Sequence, residues 1–386
     1  MKKWIPSLTL LAVMLLPLSF AFAQTSGKPA PQPLITTAEK PLIQVAVLLD
    51  TSNSMDGLIN QAKSQLWKLV SELARARRGG QIPKLEVALY EYGNDNLPGS
   101  EGHIRQVVGL TTDLDKISED LFALTTNGGS EFCGHVIDTA INQLPWSKDP
   151  KALKIIFIAG NEPFTQGGVD YRKAVKKAIS QGVVVNTIFC GDQREGIEGK
   201  WQEGALLADG QYSVIDSNRQ VAHIAAPQDA EIERLGNELN KTYIAYGRKG
   251  KEKAERQKVQ DSNAASVAQG ASVQRSVAKA SKHYKNAEWD LVDAAAEGVA
   301  EASALDEEAL PEEMKKMDKD QRKQYVDGMA KKRAELQEQI QKLDNERRKY
   351  VEAEQKKQAT EGDDTFDKAV IGAIKSQAAK KSFTFE

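Results

Sequence analysis

Short apolar segments alternate with amphipathic ones from about residue 42 to residue 247. The apolar segments are rich in aliphatic and β-branched residues, as expected for strands that are covered on both faces. They are LIQVAVLLD, KLEVALYEYG, HIRQVVGL, LKIIFIAG, VVVNTIFCGD and QYSVID. Strands that alternate with helices predict an α/β fold with a doubly wound, mainly parallel sheet and helices on both faces.

The intervening segments carry the apolar spacing of helices. The first has apolar residues three and four positions apart before it ends in Gly-Gly: Leu58, Ala62, Leu66, Leu69 and Leu73. GHVIDTAINQL, VDYRKAVKKAISQG and AEIERLGNEL have a similar spacing. We therefore predict one Rossmann-like domain over residues 42–247, with any ligand at the carboxyl ends of the strands.

Beyond residue 247 the chain becomes polar. Residues 248–285 are rich in Ala, Ser, Gln and Lys, which predicts a linker or a solvated helix. Residues 286–386 predict a charged, partly flexible helical region. Its longest segment has an apolar stripe that Arg333 and Arg347 interrupt. Such a stripe is compatible with an intermolecular coiled coil, although a helix that packs on its own neighbours is the favoured interpretation.

The N-terminal residues 1–23 have the pattern of a cleaved export signal. Two lysines precede an apolar stretch from Ile5 to Phe22, and an Ala-x-Ala cleavage site ends at Ala23. The alternative is an uncleaved anchor, for which the apolar core is short. Residues 24–41 predict a Pro-rich tether. No later segment is apolar enough to cross a bilayer. The prediction is a bacterial periplasmic or secreted protein, without a transmembrane segment after cleavage.

The charge balance bears on the class of partner. The chain has 52 Lys and Arg residues against 54 Asp and Glu residues, for a net charge of −2. A dedicated nucleic-acid binder usually has a basic bias. No nucleic-acid partner is therefore expected.

The first predicted strand ends in Asp50, and Ser52 and Ser54 follow at alternate positions. One carboxylate and two hydroxyls are hard oxygen ligands, which suit Mg²⁺, Mn²⁺ or Ca²⁺ better than zinc or copper. The same sequence can instead cap a helix. Asp50 as a phosphoryl-transfer nucleophile is a third interpretation, but that chemistry usually needs a second carboxylate nearby. No glycine-rich phosphate loop is present in the sequence.

Together with a second hydroxyl-bearing loop, this motif resembles that of a von Willebrand factor A domain with a metal-ion-dependent adhesion site (MIDAS). The matching segments are DTSNS at 50–54, GGS at 128–130 and the strand with its loop, KIIFIAGNEP. Segments such as YEYGND and LTTNGG resemble an exported bacterial subgroup of this superfamily. The resemblance implies that Asp50, Ser52, Ser54 and Ser130 bind a divalent cation, with Mg²⁺ as the first choice and Mn²⁺ or Ca²⁺ as alternatives.

The third loop departs from the family pattern, which often reads Thr-Asp-Gly. This chain reads Ala-Gly-Asn-Glu, so Asn161 and Glu162 are the remaining candidate ligands of that loop. If neither contributes, the resemblance implies weaker metal binding and a stronger attraction of an anionic partner. Candidate rim residues are Glu131, His135 and Tyr92.

Cys133 and Cys190 are the only cysteines of the chain. Both are predicted near the carboxyl edge of the sheet, and an exported protein meets an oxidising compartment. We predict a disulfide that braces the rim of the site, with two separate buried thiols as the alternative.

The resemblance implies a divalent-metal-dependent protein–protein interaction, in adhesion or assembly, with an unknown partner that offers an acidic side chain to the metal. The sequence shows no general base beside the metal loops and no Ser-His-Asp set, so we do not predict an enzyme. The main alternative is an envelope scaffold that acts through its C-terminal helices and has a degenerate metal site. A metal-assisted hydrolase is less favoured.

Overall fold

The computed structural model describes residue 1 and residues 40–217, 223–268, 270–358 and 366–386. Apart from residue 1, the predicted export signal lies outside the described residues, as does most of the predicted tether. Residues 40–386 form one compact unit. In the part of the chain that the structure describes, no helix is long and apolar enough to cross a membrane.

The strands form one large sheet and one small ribbon. They are β1 (Leu42–Asp50), β2 (Ala76–Arg77), β3 (Lys84–Tyr92), β4 (Ile104–Thr111), β5 (Leu153–Gly160), β6 (Val184–Cys190), β7 (Tyr212–Ile215) and β8 (Thr384–Phe385). The large sheet has the order β4-β3-β1-β5-β6-β7, and only the edge strand β4 is antiparallel to its neighbour. The ribbon pairs β2 with β8. The six segments predicted as strands are the six strands of the large sheet, so the predicted α/β class is confirmed.

The helices are distributed over the whole described chain. Those within or close to the sheet region are α1 (Asp56–Leu73), α2 (Leu114–Ala123), α3 (Cys133–Gln143), α4 (Tyr171–Ser180), α5 (Gln193–Glu198), α6 (Trp201–Leu206) and α7 (Asp229–Asn240). Those that follow are α8 (Gly250–Val267), α9 (Ala271–Lys279), α10 (Leu291–Ala296), α11 (Glu312–Lys315), α12 (Lys319–Gln358) and α13 (Phe366–Lys380). The predicted helical C-terminal region is confirmed.

Both faces of the sheet are covered, which explains the unbroken apolar sequence of β1. Val45 and Leu49 point into a core shared with α1, α2 and α13. Ala46 and Leu48 point into a second core, on the opposite face, shared with α3, α4 and α6. Because successive strand residues face opposite sides, a central strand with helices on both faces needs apolar residues at every position.

The last helix of the chain completes the α/β domain. On α13, Phe366, Val370 and Ile374 belong to the same core as the inward side of α1. Gln377 exchanges side-chain hydrogen bonds with Asn186 of β6. The domain therefore does not end near residue 247, as the sequence analysis predicted; its final covering element comes from residues 366–380.

Residues 248–285 are not a linker. They form α8 and α9, which pack on α1 and α2. Their buried side chains include polar ones: Gln260 accepts a hydrogen bond of 2.8 Å from Ser118, and Arg275 is paired with Asp115. These two helices are therefore packed partly through polar contacts. A packed helix is normally recognised in sequence by an apolar stripe, and polar contacts partly replace that stripe here.

The apolar stripe of α12 packs against other helices of the same chain. Leu336 and Ile340 pack in a core with residues of α7 and α9. The two arginines that interrupt the stripe are buried and paired: Arg333 binds Asp290, and Arg347 binds Asp229 at 2.6 Å. The interruptions are therefore ion-pair positions of an intramolecular interface.

Candidate metal site at the carboxyl edge of the sheet

Three loops meet beyond the carboxyl end of β1. Asn53 N–H donates to the carbonyl of Gly128 at 3.1 Å, and Asn127 N–H donates to the carbonyl of Thr51 at 2.9 Å. These bonds join the loop after β1 to the loop before α3. Gly93, directly after β3, forms a bridge with Ser130 of that second loop. Backbone pairing therefore fixes the positions of both hydroxyl-bearing loops.

The side chains of the first loop form a connected set of oxygen atoms. Asp50 is fully buried, and its Oδ1 accepts a hydrogen bond of 2.8 Å from Ser52 N–H. The hydroxyls of Ser52 and Ser54 are 3.2 Å apart. Ser54 Oγ also donates to Asn161 Oδ1 at 3.4 Å. The structure thus brings Asp50, Ser52, Ser54 and Asn161 together.

The helix-capping interpretation of this motif is wrong. Neither the short 3₁₀ turn at Asn53–Met55 nor α1 has a side-chain hydrogen bond at its N-cap. The two serine hydroxyls face each other and the third loop instead of the free N–H groups of the helix. Their placement suits a ligand at the strand tips better than a capping role.

Glu131 is the carboxylate that lies beside Asp50. The sequence analysis treated it only as a rim residue, yet its side chain is 3% exposed. The two carboxyl groups are within hydrogen-bonding reach of each other, and the Ser52 hydroxyl reaches both. Burial raises the pKa of both Asp50 and Glu131, and the proximity of Asp50 raises that of Glu131 further.

Two buried oxygens of this pair lack a hydrogen-bond donor: Asp50 Oδ2 and Glu131 Oε2. Two carboxyl groups so close either share a proton, so that only one of them is ionised, or are both ionised around a cation. Hard oxygens from two carboxyls and two hydroxyls suit a divalent cation such as Mg²⁺ or Ca²⁺. The residues present therefore fit a divalent metal. Within the described residues no group of three or more His, Cys, Asp or Glu side chains could hold a metal ion.

Ser130 and Glu162 occupy the edges of this group. Ser130 is the residue before Glu131 and is fixed by its bridge to Gly93. The backbone carbonyl of Glu162 accepts a hydrogen bond of 2.8 Å from Trp201 Nε1, which holds the third loop against α6. The Glu162 side chain acts on Asp50 and Glu131 through its charge, which raises their pKa values as a lesser cause.

Two of the proposed rim residues do not belong to the metal-facing group. Tyr92 is fully buried, and its hydroxyl donates to the carbonyl of Ala159 at 2.9 Å, so it lies behind the site and cannot contact a partner. Burial raises the pKa of Tyr92 well above its usual value. The His135 ring lies against Gly102 and lines a cleft of about 500 Å³ between β4 and α3.

The predicted disulfide is wrong. Cys133 and Cys190 are both free, buried thiols. Cys133 belongs to the core on the α3 face of the sheet, whereas Cys190 belongs to the core on the α1 face. The sheet itself therefore separates the two sulfur atoms. Burial raises the pKa of both thiols, which keeps them protonated.

Two glycines make room for the carboxyl pair, and sequence reasoning missed them. A methyl group at Gly93 would lie 2.8 Å from Glu131 Cγ and 2.9 Å from Asp50 Oδ1. At Gly160 it would lie 2.9 Å from Asp50 Oδ2 and 2.5 Å from the Tyr92 hydroxyl. The signal was present in the sequence, because each glycine directly follows or ends a predicted strand next to β1.

A family comparison matches this part of the chain. Residues 44–197 match the family model of the von Willebrand factor type A domain. The match begins in β1, includes all three loops of the candidate site and ends in α5. It covers less than half of the chain, so the helices after residue 197 lie outside it. A comparison with curated proteins gives no match.

Several solved structures are similar to a little less than half of this chain. The conserved hypothetical protein BatB from Bacteroides thetaiotaomicron is 18% identical, with a TM-score of 0.36, over 45% of this chain and 90% of that one. An aerotolerance-related membrane protein from Bacteroides fragilis is 18% identical, with a TM-score of 0.31, over 46% and 93%. Proximal thread matrix protein 1 from the mussel byssus, with a zinc-occupied MIDAS motif, is 13% identical, with a TM-score of 0.34, over 47% and 43%. All three TM-scores are below 0.5.

Proposed function

We propose that this chain is an exported interaction protein whose A domain binds a protein partner through a divalent cation. The cation is held in a MIDAS-like site by Asp50, Ser52, Ser54 and Ser130, and Mg²⁺ is the first choice. Residues 1–23 act as the export signal, which places the mature protein in the periplasm or outside the cell.

The unpartnered Oδ2 atom of Asp50 is the observation that carries this proposal. It is buried at the strand tips, beside a second carboxyl group and two hydroxyls that no helix terminus uses. A buried carboxylate oxygen without a donor costs free energy unless a positive charge compensates it. A divalent cation supplies that charge.

An incomplete ligand set explains why such a site would bind a partner. Mg²⁺ requires six oxygen ligands and usually keeps water or takes oxygen from another molecule where the protein offers too few. Ser54 is exposed, whereas Asp50 and Ser52 are buried. The open side of the site is therefore the Ser54 side, and an acidic side chain of a partner would complete the coordination there.

The burial of Asp50 also argues against the enzymatic alternative. A phosphoryl-accepting aspartate must reach a substrate, yet Asp50 is completely shielded from solvent. A ligand to an ion of atomic size needs no such access. We therefore propose a binding role for the A domain and no catalytic one.

Peptide binding in the presence and absence of metal tests the proposal. Fluorescence anisotropy of short peptides that contain Asp or Glu is measured with the mature protein in 5 mM Mg²⁺ or in EDTA (a concentration of about this size is enough to fill a weak Mg²⁺ site). We expect binding that Mg²⁺ supports, that Asn or Gln in the peptide abolishes, and that Ser54→Ala weakens. Equal binding in EDTA would contradict the proposal.

Two observations support the scaffold alternative. The third loop lacks the Asp that the family often has, and the helices after residue 247 pack into the same unit as the A domain. A scaffold with a degenerate site predicts that Ser54→Ala changes neither metal nor peptide binding.

A further inference from the structure

We propose that Glu131, and not a residue of the third loop, supplies the second negatively charged ligand of the cation. The inference deepens the proposed function and rests on it. Asn161 of the third loop is neutral, so the second negative charge comes from a residue of the second loop instead.

The position of the Glu131 carboxyl group carries the inference. It is buried beside Asp50, and the hydroxyl of Ser52 lies within reach of both carboxyl groups. Asp50 and Glu131 each keep one buried oxygen without a donor. One cation near these two oxygens would satisfy both at once.

The surrounding backbone holds Glu131 in this position. Its N–H donates to Gln166 Oε1 at 2.7 Å, and the preceding residue, Ser130, is bridged to Gly93. Gly93 has a positive φ of 79°, which favours glycine, and its missing side chain leaves the space that Glu131 Cγ and Asp50 Oδ1 fill. A solvated loop residue would not need this support.

The third loop offers a weaker alternative. Asn161 reaches Ser54 but is neutral, and its amide oxygen already accepts the serine hydroxyl at 3.4 Å. Glu162 affects the carboxyl pair only through its charge, and its backbone is held by Trp201.

A second carboxylate ligand changes the net charge of the loaded site. Two carboxylates balance one divalent cation, so the loaded site has no formal net charge. A site without an acidic ligand from the third loop would attract an anionic partner more strongly. Because Glu131 supplies the missing charge, we do not expect this stronger attraction. A partner carboxylate would bind by coordination at short range, and salt would weaken it less than it weakens a contact between unpaired surface charges.

Calorimetric titration of Mg²⁺ and Mn²⁺ into the mature protein tests the role of Glu131. Glu131→Gln keeps the size of the side chain and removes its charge, and we expect it to weaken metal binding at least tenfold. Asp95→Asn removes an exposed carboxylate from the neighbouring loop and is the matched control, with an expected change below threefold. Glu162→Gln is also expected to change the affinity less than threefold.

Rescue distinguishes a ligand from a residue that merely supports the loop. Asn161→Asp in the Glu131→Gln background places a carboxylate next to Ser54, and we expect it to recover at least threefold of the lost affinity. Failure of this rescue would overturn the ligand role, because it would indicate a structural one. If Glu131→Gln does not fold, Glu131→Asp, which keeps the charge but withdraws it by one methylene group, must show the tenfold loss.

The titrations distinguish a failure of the proposed function from a failure of the proposed role of Glu131. Wild-type protein that binds neither metal overturns both the proposed function and the role of Glu131. Wild-type binding that Glu131→Gln leaves within threefold overturns only the role of Glu131; in that case Glu131 is a neutral acid that donates a hydrogen bond to Asp50.

Discussion

Arg275 and Asp115 form a buried ion pair that joins the helices after residue 247 to the α/β domain. Both side chains are at most 5% exposed. The Arg275 guanidinium also lies 4.2 Å from the centre of the Trp67 ring of α1 and 2.7 Å from Asp261 of α8. One residue of α9 therefore contacts three other helices, which explains why a polar segment packs as firmly as an apolar one.

Replacing Arg275 by Met is expected to destabilise the protein by about 3–5 kcal/mol. Asp115 would remain buried with only the hydrogen bond from Tyr284, and an uncompensated buried charge is costly. Urea denaturation followed by circular dichroism measures the free energy of unfolding.

A surface pair gives the matched control for this substitution. Arg234 and Glu231 form an ion pair whose side chains are 59% and 46% exposed. Arg234→Met should therefore leave the stability almost unchanged. Similar effects of the two substitutions would show that the buried pair has no special role.

Shortening Ile374 to Ala is expected to cost about 2–5 kcal/mol of stability, because the side chain is 3% exposed in the core between α13 and the sheet. Lys380→Ala, on the exposed side of the same helix, should have little effect. Thermal unfolding compares the two variants. If Ile374→Ala unfolds like the wild type, α13 is not part of the domain core.

Gly160→Ala is expected to weaken metal binding at least tenfold. Its new methyl group would meet the Asp50 carboxylate and the Tyr92 hydroxyl, and overpacking at such a position displaces the side chains that it meets. Gly129→Ala is the control, since a methyl group there meets no atom within 4 Å. Calorimetry with Mn²⁺ measures both; equal affinities would show that the space beside Asp50 is not critical.

His283 is expected to lower the stability of the protein in mild acid. Its Nε2 atom is buried without a hydrogen-bond partner among the described groups, and burial, with smaller effects of Arg77 and Lys285, lowers the pKa from 6.5 to about 4. The unfolded chain therefore binds the proton first. The stability that the neutral ring provides is complete above pH 6.5 and is lost, by about 3 kcal/mol in total, as the pH falls to about 4.

The difference between the wild type and His283→Gln isolates this effect from the titration of carboxyl groups. The stability difference between the two proteins, measured by urea denaturation at several pH values, should change by about 3 kcal/mol between pH 7 and pH 4 in favour of the variant. A constant difference over this range would contradict the assigned cause.

The sheet could be predicted from sequence because its strands are buried on both faces, which leaves uninterrupted apolar runs such as that from Val45 to Leu49. The packing of α8 and α9 could not be predicted, since buried groups such as Arg275 and Gln260 look like solvated ones when their partners are unknown. The helix that completes the domain, α13, lies far from the sheet in sequence, and its amphipathic pattern does not indicate what it covers.

Prediction of the candidate site from the sequence is limited in the same way, because local patterns can be recognised and long-range contacts cannot. The alternation of Asp50, Ser52 and Ser54 is local and could be read directly. The proximity of Glu131 to Asp50 depends on the bridge between Gly93 and Ser130, which is a long-range contact. The two cysteines were expected near one edge of the sheet, but Cys133 begins α3, which packs on one face, whereas the Cys190 side chain at the end of β6 belongs to the core on the other face.

Calorimetric titration of Mg²⁺, Mn²⁺ and Ca²⁺ into the mature protein and its Asp50→Ala variant tests the central claim most directly. Circular dichroism first establishes that the variant is folded. The account predicts that the wild type binds at least one of these ions with one site per chain and that Asp50→Ala removes this binding. Metal binding that is unchanged in the variant, or absent from the wild type, would contradict it.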